Sequence, residues 1–487
     1  MGSRRKSKKQ RNGEGDGEGN SNESGMGMRI CDLPDPILHR ILSSLPTKEA
    51  IQTSVLSKRW EHLWKNISKI ELREGYLTHL QEPEAEKRRQ KFMNFANRLL
   101  AACDCTRLKN FFLSCRVGQD ASQINQWLCC FINPKIKELS LDFEEILEPL
   151  VFPDHLFTCS TLTKFRLDMP HIFKLPSSIH FQSLRTLILL NVIFPDSSST
   201  QNFFSGCPAL EELYLTSCNL ENVEAFVISC PLLQNLDISE MEYDGLTDPN
   251  CCKVVIIGTN LKTFDYEGDY LNEYLLYDST SVINASIKVL VPLVYTGDHY
   301  YSCQLDLGYF LFNLVKGFPN LEKLCISYSF ITALSRTGLL LKCMPLCFPN
   351  LVELTLDTTG AVSLEDPGLL AMSHYSPNLE AIRFEEGVSL TKDNAECILG
   401  CIPLCFSNLK TIEINGFNGE EEELFAIKIL LQVASALDKL LIQCYSSLSV
   451  SDDVDNHRER SEKFHKQILT YPKRSMDCKI EFEHKMW

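Results

Sequence analysis

The chain has 487 residues, with 48 lysine and arginine side chains against 63 aspartate and glutamate side chains, and a formal net charge of −15. This length exceeds what one compact hydrophobic core normally serves, so the sequence favours several domains or an elongated array. The acidic excess argues against nucleic acid, and no apolar run approaches the roughly 18 residues of a membrane span, so we expect neither nucleic acid nor membrane as a partner.

Residues 1–28 form a polar tail. "RRKSKKQR" (Arg4–Arg11) carries six cations, and a glycine- and acid-rich run with almost nothing apolar follows it. This composition predicts disorder. The cations fit a nuclear address and a merely solvating tail equally well. No secretory signal is predicted, so we expect the protein in the nucleus, the cytoplasm or both.

Three short helices are predicted directly after the tail. In "LPDPILHRILSSLP", Asp35 fits an N-cap, Pro36 fits the first helical position, and apolar residues then recur with the helical period. Thr47 would cap the second helix and Ser57 the third. Helices this short cannot cover their own apolar surface, so the rest of the chain or another protein must cover it.

The stretches "LPDPILHRILSSLP" and "SVLSKRW" resemble the F-box, which would span residues 29–70. The resemblance implies a Skp-type adaptor as partner and, through it, the cullin of a ubiquitin ligase. The implied adaptor-binding residues are Leu33, Pro34, Ile37, Leu38, Ile41, Leu42, Leu45, Pro46, Val55 and Trp60. We expect Trp60 both to pack the third helix and to offer an edge to the adaptor. In the alternative reading, the three helices only cap the repeats that follow.

The stretch "KFMNFANRLLAAC" predicts a further helix. Its inward side chains would be Phe92, Phe95, Ala96, Leu99 and Leu100. Because the end leucines of stacked repeats would otherwise meet water, we expect this helix to cover the N-terminal end of the array.

From residue 108 the sequence repeats the pattern L-x-x-L-x-L, with clear copies in "CPALEELYL", "FPNLEKLCI" and "FPNLVELTL". The copies recur about every 27 residues, within the range of leucine-rich repeats. Their anchors are Leu108, Ile136, Leu162, Leu184, Leu210, Leu233, Leu261, Ile287, Leu321, Leu351, Leu379, Leu409 and Leu437. The predicted fold is α/β: a solenoid of about 13 repeats, centred on residues 71–405, with a parallel sheet on its concave side and helical or irregular return segments. The copy at Ile287 is the poorest, because Pro292 falls where its strand should continue.

Acidic side chains outnumber basic ones at the outward positions of the predicted strands. The predicted substrate-binding residues on this concave face are Glu212, Tyr214, Asp237, Asp265, Glu353, Arg383 and Glu413. We expect the face to prefer a basic or neutral protein segment. Solvated charges without any partner are an equally good reading.

The longest gap between anchors, from Ile287 to Leu321, is rich in aromatic residues. They are Tyr295, Tyr300, Tyr301, Tyr309, Phe310 and Phe312. They could line a recognition loop, since long loops often carry function. The favoured reading places Phe310, Leu311 and Leu314 on a return helix.

The last segment, residues 406–487, resembles the C-terminal FBD module of plant F-box and leucine-rich-repeat proteins, in "GFNGEEEEL" and "ILTYPKRSMDCKIEF". A helix should begin near Glu420, where acidic side chains favour the positive helix end. Its inward residues would be Leu424, Ile427, Leu431 and Ala434. The module would be an α+β cap, with Ile480 and Phe482 on a final strand.

The sequence contains no recognised catalytic motif, so we expect no enzyme activity and no cofactor. The 21 cysteines should be free thiols that serve as small buried hydrophobes. The pairs Cys343 with Cys347 and Cys401 with Cys405 have a spacing atypical of zinc and no nearby histidine, so no metal is expected.

Together these features predict the substrate-recognition subunit of a Skp/cullin/F-box ubiquitin ligase, with the repeats binding a protein substrate that the sequence does not identify. Two alternatives stay open. One is a leucine-rich-repeat scaffold outside any ligase. The other is a receptor that needs a small molecule, for which the sequence shows no basic pocket.

Overall fold

The computed structural model divides into two compact units, Met1–Trp64 and Lys65–Trp487. The residues it describes are 30, 33–75, 82–240, 252–269, 272–289, 310–311, 313–336, 348–358, 360–392, 406, 408–445 and 463–485. The predicted tail, the two cysteine pairs, Pro292 and the loop aromatics Tyr295, Tyr300, Tyr301, Tyr309 and Phe312 lie outside these residues. No described helix is long and apolar enough to cross a membrane.

The first unit contains the three expected helices: α1 (Asp35–Ser44), α2 (Thr47–Gln52) and α3 (Trp60–Leu63), with a 3-10 turn at Thr53–Val55. The predicted side-chain caps are wrong. Pro34 and Pro46 occupy the N-cap positions of α1 and α2, and neither helix has a side-chain cap. A proline fits an N-cap because its fixed φ suits the extended conformation there. At α3 the backbone carbonyl of Ser57, and not its hydroxyl, accepts from the N–H of Trp60 at 3.0 Å.

The second unit is built on one parallel sheet of fifteen described strands in the order β1-β2-β3-β4-β5-β6-β8-β10-β12-β13-β14-β16-β18-β19-β20. Their bounds are β1 Lys69–Arg73, β2 Asn110–Gly118, β3 Glu138–Ile146, β4 Lys164–Asp168, β5 Thr186–Leu190, β6 Glu212–Thr216, β8 Asn235–Ser239, β10 Thr263–Gly268, β12 Asn284–Val289, β13 Lys323–Ser327, β14 Glu353–Asp357, β16 Ala381–Phe384, β18 Thr411–Ile414, β19 Lys439–Tyr445 and β20 Lys479–Lys485. One strand per repeat, always parallel to its neighbour, is the arrangement of a leucine-rich-repeat solenoid, and it confirms the predicted fold class.

Twelve of the thirteen predicted anchors are at most 2% exposed and lie two residues before a strand. The anchor at Ile287 is wrong, because Ile287 lies within β12 and pairs with Tyr266 of β10. The true anchor of that repeat is Val282, which is fully buried. Valine and alanine replace leucine in "VINASI", so the predicted anchor lies five residues after the true one.

The array begins earlier than predicted. Lys69 and Ile70, expected at the end of the F-box segment, lie on β1, which pairs in parallel with β2. The predicted helix exists as α4 (Glu82–Ala102), but it lies between β1 and β2 in the chain. It is therefore the crossover between the first two strands, and the expectation that it covers the end of the array is corrected. With β20 at the other edge, the sheet has two more strands than predicted anchors.

The return segments contain helices in some repeats and short strands in others. The described helices are α4, α5 (Ala121–Phe131), α6 (Ser197–Ser205), α7 (Tyr328–Arg336), α8 (Pro367–His374) and α9 (Glu421–Val433), and residues 463–469 are also helical. Three successive return segments instead form a second parallel sheet in the order β11-β9-β7, with β7 at Ala225–Ile228, β9 at Lys253–Ile257 and β11 at Glu273–Tyr277, and a two-stranded sheet joins β15 (Val362–Ser363) to β17 (Val388–Ser389). In the gap before Leu321, residues 310–311 and 313–316 are helical, with Phe310, Leu311 and Leu314 at most 3% exposed. This confirms the favoured reading of that gap.

Asparagine side chains connect the turns of successive repeats. Asn378 donates its amide to the carbonyl of Pro349 in the preceding repeat at 2.6 Å, and Asn408 donates to Pro377 at 3.2 Å. Asn260 makes the equivalent bond to Pro231 at 2.6 Å. These bonds satisfy carbonyls in the turn that leads into each strand, which explains the recurring Pro-Asn-Leu of the sequence.

The C-terminal segment continues the same sheet through β18, β19 and β20. The helix α9 begins as predicted, with Glu420 as N-cap and a capping box completed by Glu423. Ile480 and Phe482 lie on β20, the last strand, where both are half-buried.

Candidate docking surfaces

The first unit, which we call the helical unit, exposes some of the predicted adaptor-binding side chains. The side chains of Ile37 and Val55 are 46% and 85% exposed, Pro34 and Pro46 are exposed, and Leu33, Ile41 and Leu45 are half-buried. The neighbouring Leu56, which sequence reasoning left out, is 59% exposed. Its place in "SVLSKRW", next to Val55, could have signalled it. Exposed large apolar side chains grouped on so short a unit are typical of a protein-binding surface.

Three predicted adaptor residues lie inside. Leu38 and Leu42 are fully buried and Trp60 is 1% exposed. Trp60 therefore packs the helices as expected, but it has no free edge to offer to a partner. Its indole Nε1 is buried without a hydrogen-bond partner among the described residues.

Arg59 connects the two halves of the motif. Its Nη2 donates to the carbonyl of Leu33 at 2.7 Å, and its Nε donates to the Asp35 carboxylate at 3.1 Å. Asp35, expected as a helix cap, instead accepts this bond. Because both side chains are exposed, the ion pair contributes at most about 1 kcal/mol. Its effect is to hold "SKRW" against the start of α1, next to exposed Ile37.

On the outward face of the main sheet, four carboxylates form a continuous acidic cluster across β6, β8 and β10. The acidic strip, as we name it, consists of Glu212, Asp237, Asp265 and Glu267, with the Tyr214 side chain between them in the ladder. None of the four carboxylates has a cation within 4.0 Å among the described residues. Burial raises the pKa of Asp237, and the charge of Glu267 raises it further. Burial also raises the pKa of Asp265. The charge of Asp237 raises it further, and the charge of Lys288 lowers it.

The other predicted face residues lie farther along the sheet and are paired. Glu353 binds Lys323 at 2.7 Å across β13 and β14, and Arg383 binds Glu413 at 2.9 Å across β16 and β18. These charges neutralise one another. The structure therefore brings together Glu212, Tyr214, Asp237 and Asp265, and it separates Glu353, Arg383 and Glu413 from them.

Sequence reasoning missed a cavity at the N-terminal end of the same face. We call it the basic pocket: a volume of about 280 Å³ whose wall includes Lys69, Arg73, Lys164 and Arg166. The Arg73 guanidinium lies over the Phe112 ring at 4.1 Å from its centroid. Part of the wall is formed by β1, a strand that the sequence analysis did not predict. The signal was present, because "ISKIEL" from Ile67 fits L-x-x-L-x-L with isoleucine in two leucine positions.

A buried ionic network fixes the end of β1 beside this pocket. Glu74, with 3% of its side chain exposed, binds Arg89 of α4 at 3.3 Å and Arg116 of β2 at 3.2 Å. Arg89 also donates to the backbone carbonyls of Arg116 and Val117 at 3.0 and 2.9 Å. The network joins the strand, the crossover helix and the neighbouring strand.

The described cysteines are free, and several are buried. Burial raises the pKa of Cys218 and Cys252 to about 12 and that of Cys230 to about 11. These thiols therefore stay protonated at neutral pH and serve as small apolar side chains. Within the described residues, no group of three or more cysteine, histidine, aspartate or glutamate side chains could hold a metal ion.

Comparison with known proteins gives two family matches. Residues 30–71 match the F-box domain model, and residues 124–247 match the model for the LRR repeats of FBD-associated F-box protein At5g56370.

Several Arabidopsis thaliana proteins are similar to this chain. F-box/LRR-repeat protein At3g26922 is 33% identical over 268 residues, which cover 55% of this chain and 84% of that protein. F-box protein At4g27050 is 27% identical over 481 residues, covering 93% of this chain and 99% of that protein. F-box/FBD/LRR-repeat protein At3g52680 is 35% identical over 216 residues, covering 44% of this chain and 45% of that protein.

Proposed function

The chain belongs to the F-box/LRR-repeat proteins, and from that premise we propose that it is the substrate-recognition subunit of a Skp/cullin/F-box ubiquitin ligase. Proteins of this family are generally non-catalytic substrate adaptors, and an F-box generally binds a Skp-type adaptor. In the proposed role the helical unit binds the adaptor and, through it, a cullin. The repeats hold the substrate, and this chain supplies proximity while the recruited enzyme supplies the chemistry.

The exposed apolar side chains of the helical unit carry the proposal. Ile37 is 46% exposed while its helix neighbours Leu38 and Leu42 are fully buried. The inner residues hold the unit together, so Ile37 is available to a partner. Fully burying an isoleucine that was exposed contributes about 1.5–3 kcal/mol, and a half-exposed one about half of that.

Co-purification with a Skp-type adaptor tests the proposal. We expect the full chain to retain the adaptor and Ile37→Asp to weaken the complex by about tenfold or more, because a carboxylate would then be buried without a partner. Ile172→Asp is the matched control, since Ile172 is 44% exposed but lies in the second unit. Circular dichroism of both variants checks that each is folded.

One result would contradict the ligase role: failure of the wild-type chain to bind any Skp-type adaptor would favour the leucine-rich-repeat scaffold. Equal binding of the adaptor by Ile37→Asp and Ile172→Asp would instead refute the assignment of Ile37 to the adaptor surface.

We propose that the acidic strip contacts a basic segment of the substrate. Its four carboxylates have no neutralising cation within 4.0 Å among the described residues, so a basic segment would relieve their mutual repulsion. Replacing Glu212 and Asp237 by lysine should then weaken capture of substrates in proximity labelling under proteasome inhibition. Glu273→Lys on β11, an exposed acid of the second sheet, is the control. Equal capture by all three proteins would remove the support for a basic segment.

A further inference from the structure

The basic pocket lies on the same outward face as the acidic strip, but its chemistry is the opposite. Four cations and two carboxylates, those of Glu71 and Glu138, border a cavity of about 280 Å³. We infer that the basic pocket receives an acidic side chain, aspartate or glutamate, of the protein segment that docks on this face. The inference rests on the proposed function of the repeats as a substrate-binding surface.

The cations of the wall are not equally neutralised. Glu71 lies 2.6 Å from the Arg73 guanidinium and 3.6 Å from the Lys69 ammonium, so one carboxylate serves two cations. Lys164 lies opposite Glu138 in the β3–β4 ladder but has no ion-pair partner within 4.0 Å among the described residues. The Arg166 guanidinium lies 3.4 Å from the Asp168 carboxylate, which neutralises it only in part. The side of the pocket formed by β4 therefore attracts an anion.

The wall can hold a carboxylate. Glu71 and Glu138 offset part of the charge of the four cations, and the wall keeps a net positive charge that attracts an anion. A carboxylate can accept two parallel bonds from the Arg166 guanidinium. An aspartate or glutamate side chain therefore has both a charge and a hydrogen-bonding geometry that match this wall.

The pocket is large enough for a side chain. Its volume is about 280 Å³. Half-buried Phe112 and Ile188 contribute apolar wall beside the cations. An acidic residue next to an apolar or aromatic one fills both parts, so the docking segment should carry such a pair.

Fluorescence anisotropy with the purified full chain tests the inference. The probe is a fluorescein-labelled peptide of alternating glutamate and phenylalanine, compared with the same peptide carrying glutamine in place of glutamate. We expect the acidic peptide to bind more tightly than the glutamine peptide, and its binding to weaken with added salt. Each of Lys164→Gln and Arg166→Gln should weaken its binding by about fivefold, the contribution of one exposed ion pair. Lys323→Gln, a cation of the same face that is paired with Glu353, should leave it unchanged.

Three results would overturn the inference: no binding of the acidic peptide, equal binding of the glutamine peptide, or equal losses in Lys164→Gln and Lys323→Gln. Displacement of the peptide by pyrophosphate at similar concentration would also overturn it, because the pocket would then be a site for small anions. Adaptor co-purification of the same variants separates the two proposals. A chain that binds the peptide but no adaptor refutes only the ligase role, and one that binds the adaptor but no peptide refutes only this inference.

Discussion

Replacement of Arg89 should loosen the first strands of the array and the basic pocket beside them. Arg89 is 11% exposed and connects α4 to Glu74, Asp120 and two carbonyls of β2. Arg89→Met keeps the apolar stem and the helix propensity but removes every one of these donors. The Glu74 carboxylate then stays buried with Arg116 as its remaining charged partner.

The magnitude follows from what Glu74 loses. Removing one partner of a buried ion pair typically costs 3–5 kcal/mol, and Glu74 keeps its bonds to Arg116, so we expect about 3 kcal/mol. Arg88 supplies the matched control, because it is the preceding residue of the same helix and is exposed. Arg88→Met should change stability by less than about 0.5 kcal/mol.

Hydrogen exchange is the appropriate assay, since contacts in a repeat array are local and its unfolding need not be two-state. Amides of α4, β1 and β2 should exchange about 100-fold faster in Arg89→Met, as 3 kcal/mol requires. Amides of β18 and β19 should not change. Equal exchange rates in the Arg88 and Arg89 variants would refute the assignment of the buried network.

Three further predictions concern single side chains. Asn378→Ala should lower the free energy of unfolding by about 1 kcal/mol, and Asn378→Asp by at least as much, because neither can donate to the Pro349 carbonyl; denaturant melts of both variants check this. Because burial raises the pKa of Asp265, the folded chain binds that proton more tightly than the unfolded chain, so stability falls as pH rises through the raised value. Asp265→Asn should therefore raise the melting temperature at neutral pH but not below the ordinary pKa of 3.8, and a lower melting temperature at neutral pH would contradict this. Iodoacetamide at pH about 8 should modify exposed Cys129 and leave buried Cys230, with a pKa of about 11, unmodified in the folded chain, as mass spectrometry can test.

The sequence predicted the repeat strands because leucine spacing alone determines which side chains face inward. It failed where other residues took both of the first two leucine positions of a copy. Val282 and Ala285 conceal the pattern of β12, and Ile67 and Ile70 conceal that of β1. A search that accepted any aliphatic residue at these positions would have found both strands.

The binding face was less predictable. Whether an outward charge is neutralised depends on the residue beside it in the ladder, which is about one repeat away in sequence. Glu353 is paired because Lys323 lies opposite it, whereas Asp237 has Asp265 as its neighbour. Composition gave the sign of the face, but the pairing of individual charges follows only from the structure. Lys288, for example, lies opposite Glu267 in the ladder but forms its ion pair with Asp357.

The order of charges along the sheet gives the outward face a direction. Neighbouring strands are about 4.8 Å apart, so an extended segment crossing from β4 to β8 spans about 14 Å, or roughly four residues. Such a segment would pass from the cations of the basic pocket to the carboxylates of the acidic strip. Turned end for end, it would place like charges opposite each other at both positions. The surface can therefore distinguish a sequence from its reverse, even where the composition is identical.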